Sequence, residues 1–488
     1  MEPVFEFPIE LGKRGPGSRV QRLHQQLRAA IIERRLAAGT RMPSTRRVAQ
    51  AYGVARNTVI AAYDLLMAEG FIVTRAGAAA EVADVATRAD TGTSKRQRRL
   101  ALRPPAMAWH KAPGATSERV TVSRTFELGI PEHRWFPSDI WRRALLRSTS
   151  LALADAFGYP APEGRPLLRE AIAQHVAYAR AVVCTESDVV VTSGAQQAFD
   201  LLARVLVTRG QTKVAVEDPG YPPLRAALSA AGAQLVPIPV DDEGLVVERL
   251  PPDVRIVCVT PSHQFPTGVA MSLARRRALL DFAQRHRAVV IEDDYDGEFR
   301  YGTQPLDALQ MLDRNEKVIY VGTFSKSLFP ALRLGYVVAP PWLMKTLAAA
   351  KQNADNGGNV AVQEALARFI LDGHLARYTR RMRKRYARRR DTLLAAIERE
   401  LGEWLIPVVP DAGIHLYARY RDRRQAKRIA SVAAHYAIGA QTSGDFLLGR
   451  DASAGPAADA GIAFGFGCID EDEIEASIAR FAHAMARA

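Results

Sequence analysis

Four short stretches set reactive or ligand-holding side chains at the ends of apolar runs. In "YVGTFSKSLFPALRLGY", residues 320–336, Lys326 stands among small residues where a β-rich run stops, and Arg333 follows seven residues later. A confined lysine amine can form a Schiff base with a carbonyl compound. "TSGAQQAFDLL" puts Gly194, Ala195 and Gln196 where a helix would begin. The free N–H groups of such an end suit a phosphate, and arginine suits one too. "VVIEDDYDGEF" supplies Asp293 just past a strand, where a carboxylate can pair with a pyridinium nitrogen. "EDPGYPP" supplies Tyr221, an aromatic face for a flat ring. Each has an ordinary alternative: a solvated strand-end lysine, a turn common to α/β proteins, a Mg²⁺ site or solvated acidic loop, and plain turn chemistry. Together, in the chain order phosphate loop, aromatic, acid, lysine, they point to a flat phosphorylated carbonyl cofactor.

The elements that would carry these residues alternate. From about residue 124 onward, five segments each begin with a buried-type strand and run towards a helix: "DVVVTSG", "TKVAVED", "RIVCVTP", "AVVIEDD" and "KVIYVGT". That repetition predicts an α/β domain with a mainly parallel sheet. Ligands in such folds bind at the carboxyl ends of the strands, where the candidate residues fall.

The first 84 residues read differently. Residues 18–38 show helical spacing of Val20, Leu23, Leu27, Ile31 and Ile32 up to a stop at Gly39. A turn, an N-cap candidate in Ser44 or Thr45, a short helix, a break at Gly53, a second helix ending at Gly70 and a strand–turn–strand follow. This order spells a winged helix-turn-helix. The helix after Gly53 would read bases through Arg56, Asn57 and Thr58 in its first turn, with Arg46 and Arg47 on phosphates. Ser44, Thr45, Arg46, Arg56, Asn57 and Thr58 form the candidate DNA-contacting set.

Charge agrees with that division. The first 84 residues hold 12 Lys/Arg against 8 Asp/Glu, and residues 85–123 hold 8 against 2, whereas the whole chain of 488 residues carries +14. A basic excess concentrated in the first quarter suggests a nucleic-acid partner. Residues 85–123 lack periodicity and read as a flexible basic linker, in which "KRQRR" (95–99) would add salt-sensitive DNA affinity. Cys184, Cys258 and Cys468 fit neither a disulfide framework nor a zinc site. With no signal-like start and no membrane-length apolar run, a cytoplasmic location is expected. The run "RYTRRMRKRYARRR" (377–390) holds nine Lys/Arg in fourteen residues. Tyr378, Met382, Arg385 and Arg389 share one helical face there, which favours a structural or dimer-contact role over DNA.

The stretch "GTRMPSTRRVAQAYGVARNTVIAAYDLLMAEGF" resembles the GntR-type winged helix. The segments "GYPAPEGRPLLREAIAQHV", "TSGAQQAFDLLARVL", "EDPGYPPLR", "TPSHQFPTGVAMSLARR", "IEDDYDGEFRY" and "GTFSKSLFPALRLGY" resemble fold type I aminotransferase-like enzymes dependent on pyridoxal 5'-phosphate (PLP). Joined, the chain resembles the MocR/GabR subfamily of GntR transcriptional regulators. The resemblance implies domains at 12–84 and 124–488, the latter with a large part to about 375 and a small part at about 376–488, joined by the 85–123 linker. It implies that Lys326 carries PLP as a Schiff base. Asp293 would meet the pyridine nitrogen, Tyr295 the phenolic oxygen and Tyr221 the ring face. Ala195, Gln196, Thr323, Ser325 and Arg333 would hold the phosphate. It further implies operator DNA, an amino-compound or PLP effector and a head-to-tail homodimer. An active PLP-dependent aminotransferase with a DNA-binding domain is the alternative.

The sequence departs from these patterns at three places. The wing tip "RAGAAAEVAD" lacks the Gly-Ser-Gly-Thr type of ending. Phe265 stands where aminotransferases have an asparagine. Ile462 stands where they have a carboxylate-binding arginine. Arg225 is a weak substitute anchor, more simply an exposed helix arginine.

Overall fold

The computed structural model describes residues 4–11, 18–74, 79–84, 126–154, 158–302, 307–436, 439–448 and 461–487. The linker 85–123 with its 95–99 run, and residues 75–78 of the wing tip, lie outside them. The chain divides into two compact units, Met1–Arg103 and Pro104–Ala488.

The first unit opens with α1 (Arg19–Ile32), started by a capping box between Ser18 and Gln21. Such a box satisfies two orphan backbone donors reciprocally. The helix ends at Ile32, short of Gly39, because the chain turns through a left-handed Arg34 (φ 59°). Then come α2 (Thr45–Tyr52), capped by the Ser44 hydroxyl and stopped by left-handed Gly53, and α3 (Arg56–Ala68). The hairpin β1 (Ile72–Val73) and β2 (Glu81–Val82) closes the unit. Leu23, Leu27, Val48, Val59 and Leu66 form its core. Phe5, Phe7 and Ile9 join that core from ahead of residue 12, where the sequence sets the start of the domain. The elements are those of a winged helix-turn-helix.

In the second unit, α4 (Ser138–Ala154) and α5 (Pro166–Arg180) precede the first strand. A large sheet is then built from β3 (Val189–Thr192), β4 (Lys213–Asp218), β5 (Gln234–Asp241), β6 (Gly244–Leu245), β7 (Ile256–Val259), β8 (Val289–Asp294), β9 (Val318–Thr323) and β10 (Gly335–Val338). Its order is β3-β10-β9-β8-β7-β4-β5-β6. The crossovers carry α6 (Ala195–Leu206), α7 (Pro222–Ala231), α8 (Leu273–His286) and α9 (Leu309–Leu312). All five segments read as buried strands are strands here, and β9-β8-β7-β4-β5 pair in parallel.

One strand the sequence reading passed over arranges the site. β10 inserts antiparallel between β3 and β9, with Gly335 opposite both Thr192 and Thr323. The carboxyl ends of β3 and β9 are thereby level, so the start of α6 and the lysine loop emerge side by side. A Cβ on Gly335 would lie 2.9 Å from the Gly194 carbonyl carbon, so only glycine allows that approach.

α10 (Pro341–Asp355), α11 (Val360–Leu371) and the 28-residue α12 (His374–Leu401) lead into a smaller antiparallel sheet. It comprises β11 (Leu405–Val408), β12 (His415–Tyr420), β13 (Gln441–Thr442) and β14 (Gly461–Gly465), in the order β11-β12-β14-β13, with α13 (Ala426–Tyr436) and α14 (Glu471–Arg487). Among the described residues, no helix is long and apolar enough to cross a membrane.

Candidate functional site

In the first unit, the residues read as DNA contacts gather where α2 and α3 begin. Ser44 caps α2 by accepting from the Arg47 N–H at 3.3 Å. Arg46, Arg47, Arg56 and Asn57 are exposed, and Thr58 is half-buried. Arg56 donates to the Thr45 hydroxyl at 3.4 Å, which joins the two helix starts. No side chain caps α3; the Thr58 N–H is taken by the Ala55 carbonyl at 2.9 Å, which leaves the Arg56 and Asn57 N–H groups available to phosphate. On the wing, Glu81 is occupied by Arg41 at 3.4 Å.

In the second unit, a cavity of about 790 Å³ opens at the carboxyl ends of the large sheet. All nine residues assigned to the cofactor line it: Ala195, Gln196, Tyr221, Asp293, Tyr295, Thr323, Ser325, Lys326 and Arg333. Lys326 Nζ donates to the Gly129 carbonyl at 2.7 Å. Burial lowers the basicity of this amine, opposed by Asp296 and Asp293. Asp293, at the end of β8, is buried. Burial pushes its carboxyl well above the usual range, helped by Asp294, Asp296 and Glu217 and opposed by Lys326. Among the described residues its Oδ1 has no hydrogen-bond partner. A buried acceptor left open in this way is costly unless a ligand satisfies it.

The opposite wall is built for an anion. α6 begins at Gly194 (φ 79°) without a side-chain cap. Arg333, itself left-handed at φ 53°, reaches back to donate to the Ser193 carbonyl at 2.8 Å. The Thr323 and Ser325 hydroxyls bond each other at 3.0 Å beside it. Tyr221 meets Phe265 edge-on at 5.3 Å. Burial and then Asp293 hold its hydroxyl up at about 12, against the pull of Arg333, so it stays neutral. A flat ring bearing a phosphate, a basic nitrogen and a carbonyl fits these donors, this open carboxylate and this amine.

Two expectations change. Arg225 is buried, not exposed: it donates to the Phe446 carbonyl and pairs with Asp218 at 3.5 Å. On α7 it shares the buried side with Leu224 and Leu228, and from there it ties the turn at 218–220. Ile462 packs into the core of the smaller sheet and does not line the cavity. Its neighbour Ala463 pairs with the cavity residue Gln441. Directly paired residues share a face and the period is two, so Ala463 is the residue of that strand turned to the cavity side.

The sequence reading missed a group at the cavity wall, in which His415 lines the cavity and His263 and Asp296 lie behind it. His263, Asp296 and His415 are buried, with ligand atoms within 4.8 Å of one another. Nothing in the run "TPSHQFPTG" marks His263 locally. On α12 the buried face is Tyr378, Met382, Tyr386 and Arg389, whereas Arg385 is half-buried and Arg377, Arg380, Arg381, Arg383, Lys384 and Arg388 are exposed.

Known proteins place both units. Residues 19–82 match the family described as "Bacterial regulatory proteins, gntR family", and residues 127–440 match "Aminotransferase class I and II". The chain is 39% identical over 401 residues to "Probable rhizopine catabolism regulatory protein MocR" of Rhizobium meliloti, covering 82% of this chain and 81% of that one. It is 29% identical to "HTH-type pyridoxine biosynthesis transcriptional regulator PdxR" of Corynebacterium glutamicum, covering 99% of each. Among solved structures, a kynurenine aminotransferase of Pyrococcus horikoshii matches with a TM-score of 0.68 and 31% identity, over 75% of this chain and 92% of that one. The chain belongs to the MocR-type transcriptional regulators, which join a GntR helix-turn-helix to a fold type I aminotransferase domain.

Proposed function

We propose that this regulator reads an operator through the start of α3 and carries PLP on Lys326, with PLP itself or an amino compound as the signal. The observation that carries this reading is one cavity that holds a lysine amine of lowered basicity, a buried carboxylate oxygen without a partner among the described residues, and an uncapped helix start beside an arginine. PLP, when bound, supplies an electrophilic carbonyl that captures primary amines.

The chain's own groups divide the work. Lys326 Nζ, desolvated and so more often unprotonated, would attack and hold the carbonyl. Asp293 Oδ1 would accept a proton shared with the ring nitrogen, and that cation would restore the charge that burial disfavours. The Ala195 and Gln196 N–H groups, the Thr323 and Ser325 hydroxyls and Arg333 would hold the phosphate. Tyr221 would cover the ring face, and Tyr295 would donate its hydroxyl to the ring oxygen. Arg56, Asn57 and Thr58 would meet base edges, with Ser44, Thr45 and Arg46 near the phosphates. A head-to-tail homodimer is part of the reading. A ligand regulates such an assembly only by binding two of its arrangements with different affinity.

The likeness to a kynurenine aminotransferase supports a second reading, an active PLP-dependent aminotransferase with a DNA-binding domain. Visible absorption of PLP-loaded wild type and Lys326→Ala tests the first reading. A band present in the wild type and lost in the variant is expected, and no band in either would refute lysine-bound PLP. Steady turnover of an amino acid with a keto acid would favour the second.

A further inference from the structure

Tyr295, on the cavity wall, owes its setting to a residue that does not line the cavity. Its hydroxyl donates to the His263 carbonyl at 2.9 Å and lies 3.0 Å from His263 Nδ1. The same Nδ1 is 3.0 and 3.2 Å from the two Asp296 oxygens. His263 and Asp296 are 2% and 1% exposed, so this pair is sealed from water, whereas Tyr295 at the end of the chain is half-buried on the cavity wall. A carboxylate only accepts, so Nδ1 carries the proton. That proton is shared between Asp296 and the Tyr295 oxygen.

The surroundings hold this arrangement in place. A Cβ on Gly413 would lie 2.2 Å from His263 Cε1 and 2.4 Å from Asp296 Oδ2, so a glycine is required against the pair. His415 packs its ring 4.5 Å from that of His263. Its Nε2 is 3.1 Å from the Pro266 carbonyl, which can only accept, so Nε2 is protonated. Burial and then His263 hold His415 well below the usual histidine range, so it is neutral. The titratable groups that face His263 are therefore Asp296 and Tyr295 from the segment after β8 and His415 from β12. Asp293, Glu217 and Asp294 act on Tyr295 through space, and Lys326 acts on His415. The three ligand atoms are close enough for a metal ion. However, His263 Nδ1 is already committed to Asp296 and Tyr295, and His415 Nε2 to a carbonyl.

We propose that His263, oriented by Asp296, is a positioning residue that fixes where the Tyr295 hydroxyl sends its proton. A proton on Nδ1 fills one lone pair of the tyrosine oxygen and leaves its single O–H to choose between the His263 carbonyl and a ligand oxygen in the cavity. The consequence for a bound cofactor rests on the reading above, whereas the wiring does not.

The wiring is tested without cofactor, by proton and nitrogen-15 NMR of the imidazole groups of the full chain. Wild type should show a downfield, exchange-protected Nδ1 proton. It should vanish in His263→Phe, move upfield in Asp296→Asn and shift in Tyr295→Phe. No such proton, or one indifferent to Tyr295→Phe, would overturn the proposal. So would stoichiometric zinc in the purified protein that is lost in His263→Phe. Asp296→Asn keeps the shape of the site, so the test survives if His263→Phe does not fold. A pH titration of the visible band after PLP loading reads the consequence. The midpoint should move by about one unit in His263→Phe and in Tyr295→Phe, in the same direction, and no further in the double variant. Additive shifts would overturn the coupling. A protected proton with no visible band would uphold the wiring and refute the PLP reading instead.

Discussion

Two arginine-rich regions differ in how their charges are used. α12 carries nine Lys/Arg between residues 377 and 390, yet most are spent within the protein. Arg389 is 2% exposed and bonds Glu132 at 2.6 Å, Asp470 at 3.0 Å and the Gly467 carbonyl at 2.6 Å. Arg385 lies over the Trp135 ring at 3.9 Å, and Arg381 and Arg383 donate to backbone carbonyls. The starts of α2 and α3 carry three arginines, Arg46, Arg47 and Arg56, all exposed. Charge density thus misleads about polyanion binding. What distinguishes the smaller set is that its guanidiniums face water beside the start of α3, which no side chain caps.

The sharpest way to break this contrast is Arg389→Ala. Glu132 is fully buried, and burial would push its carboxyl up. Hydrogen bonds from Arg134 and Arg389 outweigh that and hold it near 2. Removing Arg389 leaves a buried charge with one partner fewer, which costs about 3–5 kcal/mol. Chemical denaturation should show that loss in the second unit. Operator affinity of the folded variant, measured by fluorescence anisotropy, should be unchanged. Retained stability would mean the pair is solvated after all.

A second test uses pH within the cavity unit. Glu217 is buried, and burial lifts its carboxyl to about 7 against the hydrogen bonds from Thr260 and Gln264 and the charge of Arg225. Between its ordinary value of 4.5 and about 7, the folded state keeps a proton that the unfolded state has released. Stability should therefore fall as pH rises through that window, with a slope of about one proton from this group. Glu217→Gln should remove that share of the slope. Glu292, also raised to about 7 by burial, should leave a similar slope behind. An unaltered slope in Glu217→Gln would show that Glu217 is ionised when folded.

Arg56→Ala is the counterpart of Arg389→Ala. It should cost about 1–3 kcal/mol of specific operator binding. Global stability should change by no more than about 0.5 kcal/mol. Unchanged operator affinity would overturn the assignment of α3 as the reading helix.

These regions were unequally legible in the sequence. The strand ends could be read because buried parallel strands are continuous apolar runs, and the chemistry-bearing residues follow directly. Hence all nine assigned residues meet in one cavity. β10 could not be read: "GYVV" is four residues after a turn, and its antiparallel insertion depends on partners far away in sequence. His263 and His415 escaped for a related reason. They come from segments 152 positions apart, and nothing local says that their rings will touch. The Ile462 position slipped by one residue, which in a strand exchanges core for cavity. Arg225 was misjudged because charge alone suggests exposure, whereas its partners, Asp218 and the Phe446 carbonyl, are brought by a turn and by the smaller sheet.

The smallest expected effect separates two roles that Ser44 combines. It is exposed at the start of α2 and caps that helix through the Arg47 N–H. Ser44→Ala should cost about 1 kcal/mol of stability in the first unit by losing the cap. Any accompanying loss of operator affinity would be ambiguous. Ser44→Asp resolves it, because aspartate caps as well as serine does but brings a negative charge. If Ser44 lies against a DNA phosphate, the aspartate variant should keep wild-type stability and lose operator affinity more than the alanine variant does. That loss should be greatest at low salt, where repulsion is least screened. If aspartate restores both stability and affinity, Ser44 serves the helix alone, and the DNA-contacting set contracts to the residues whose side chains are free of the fold.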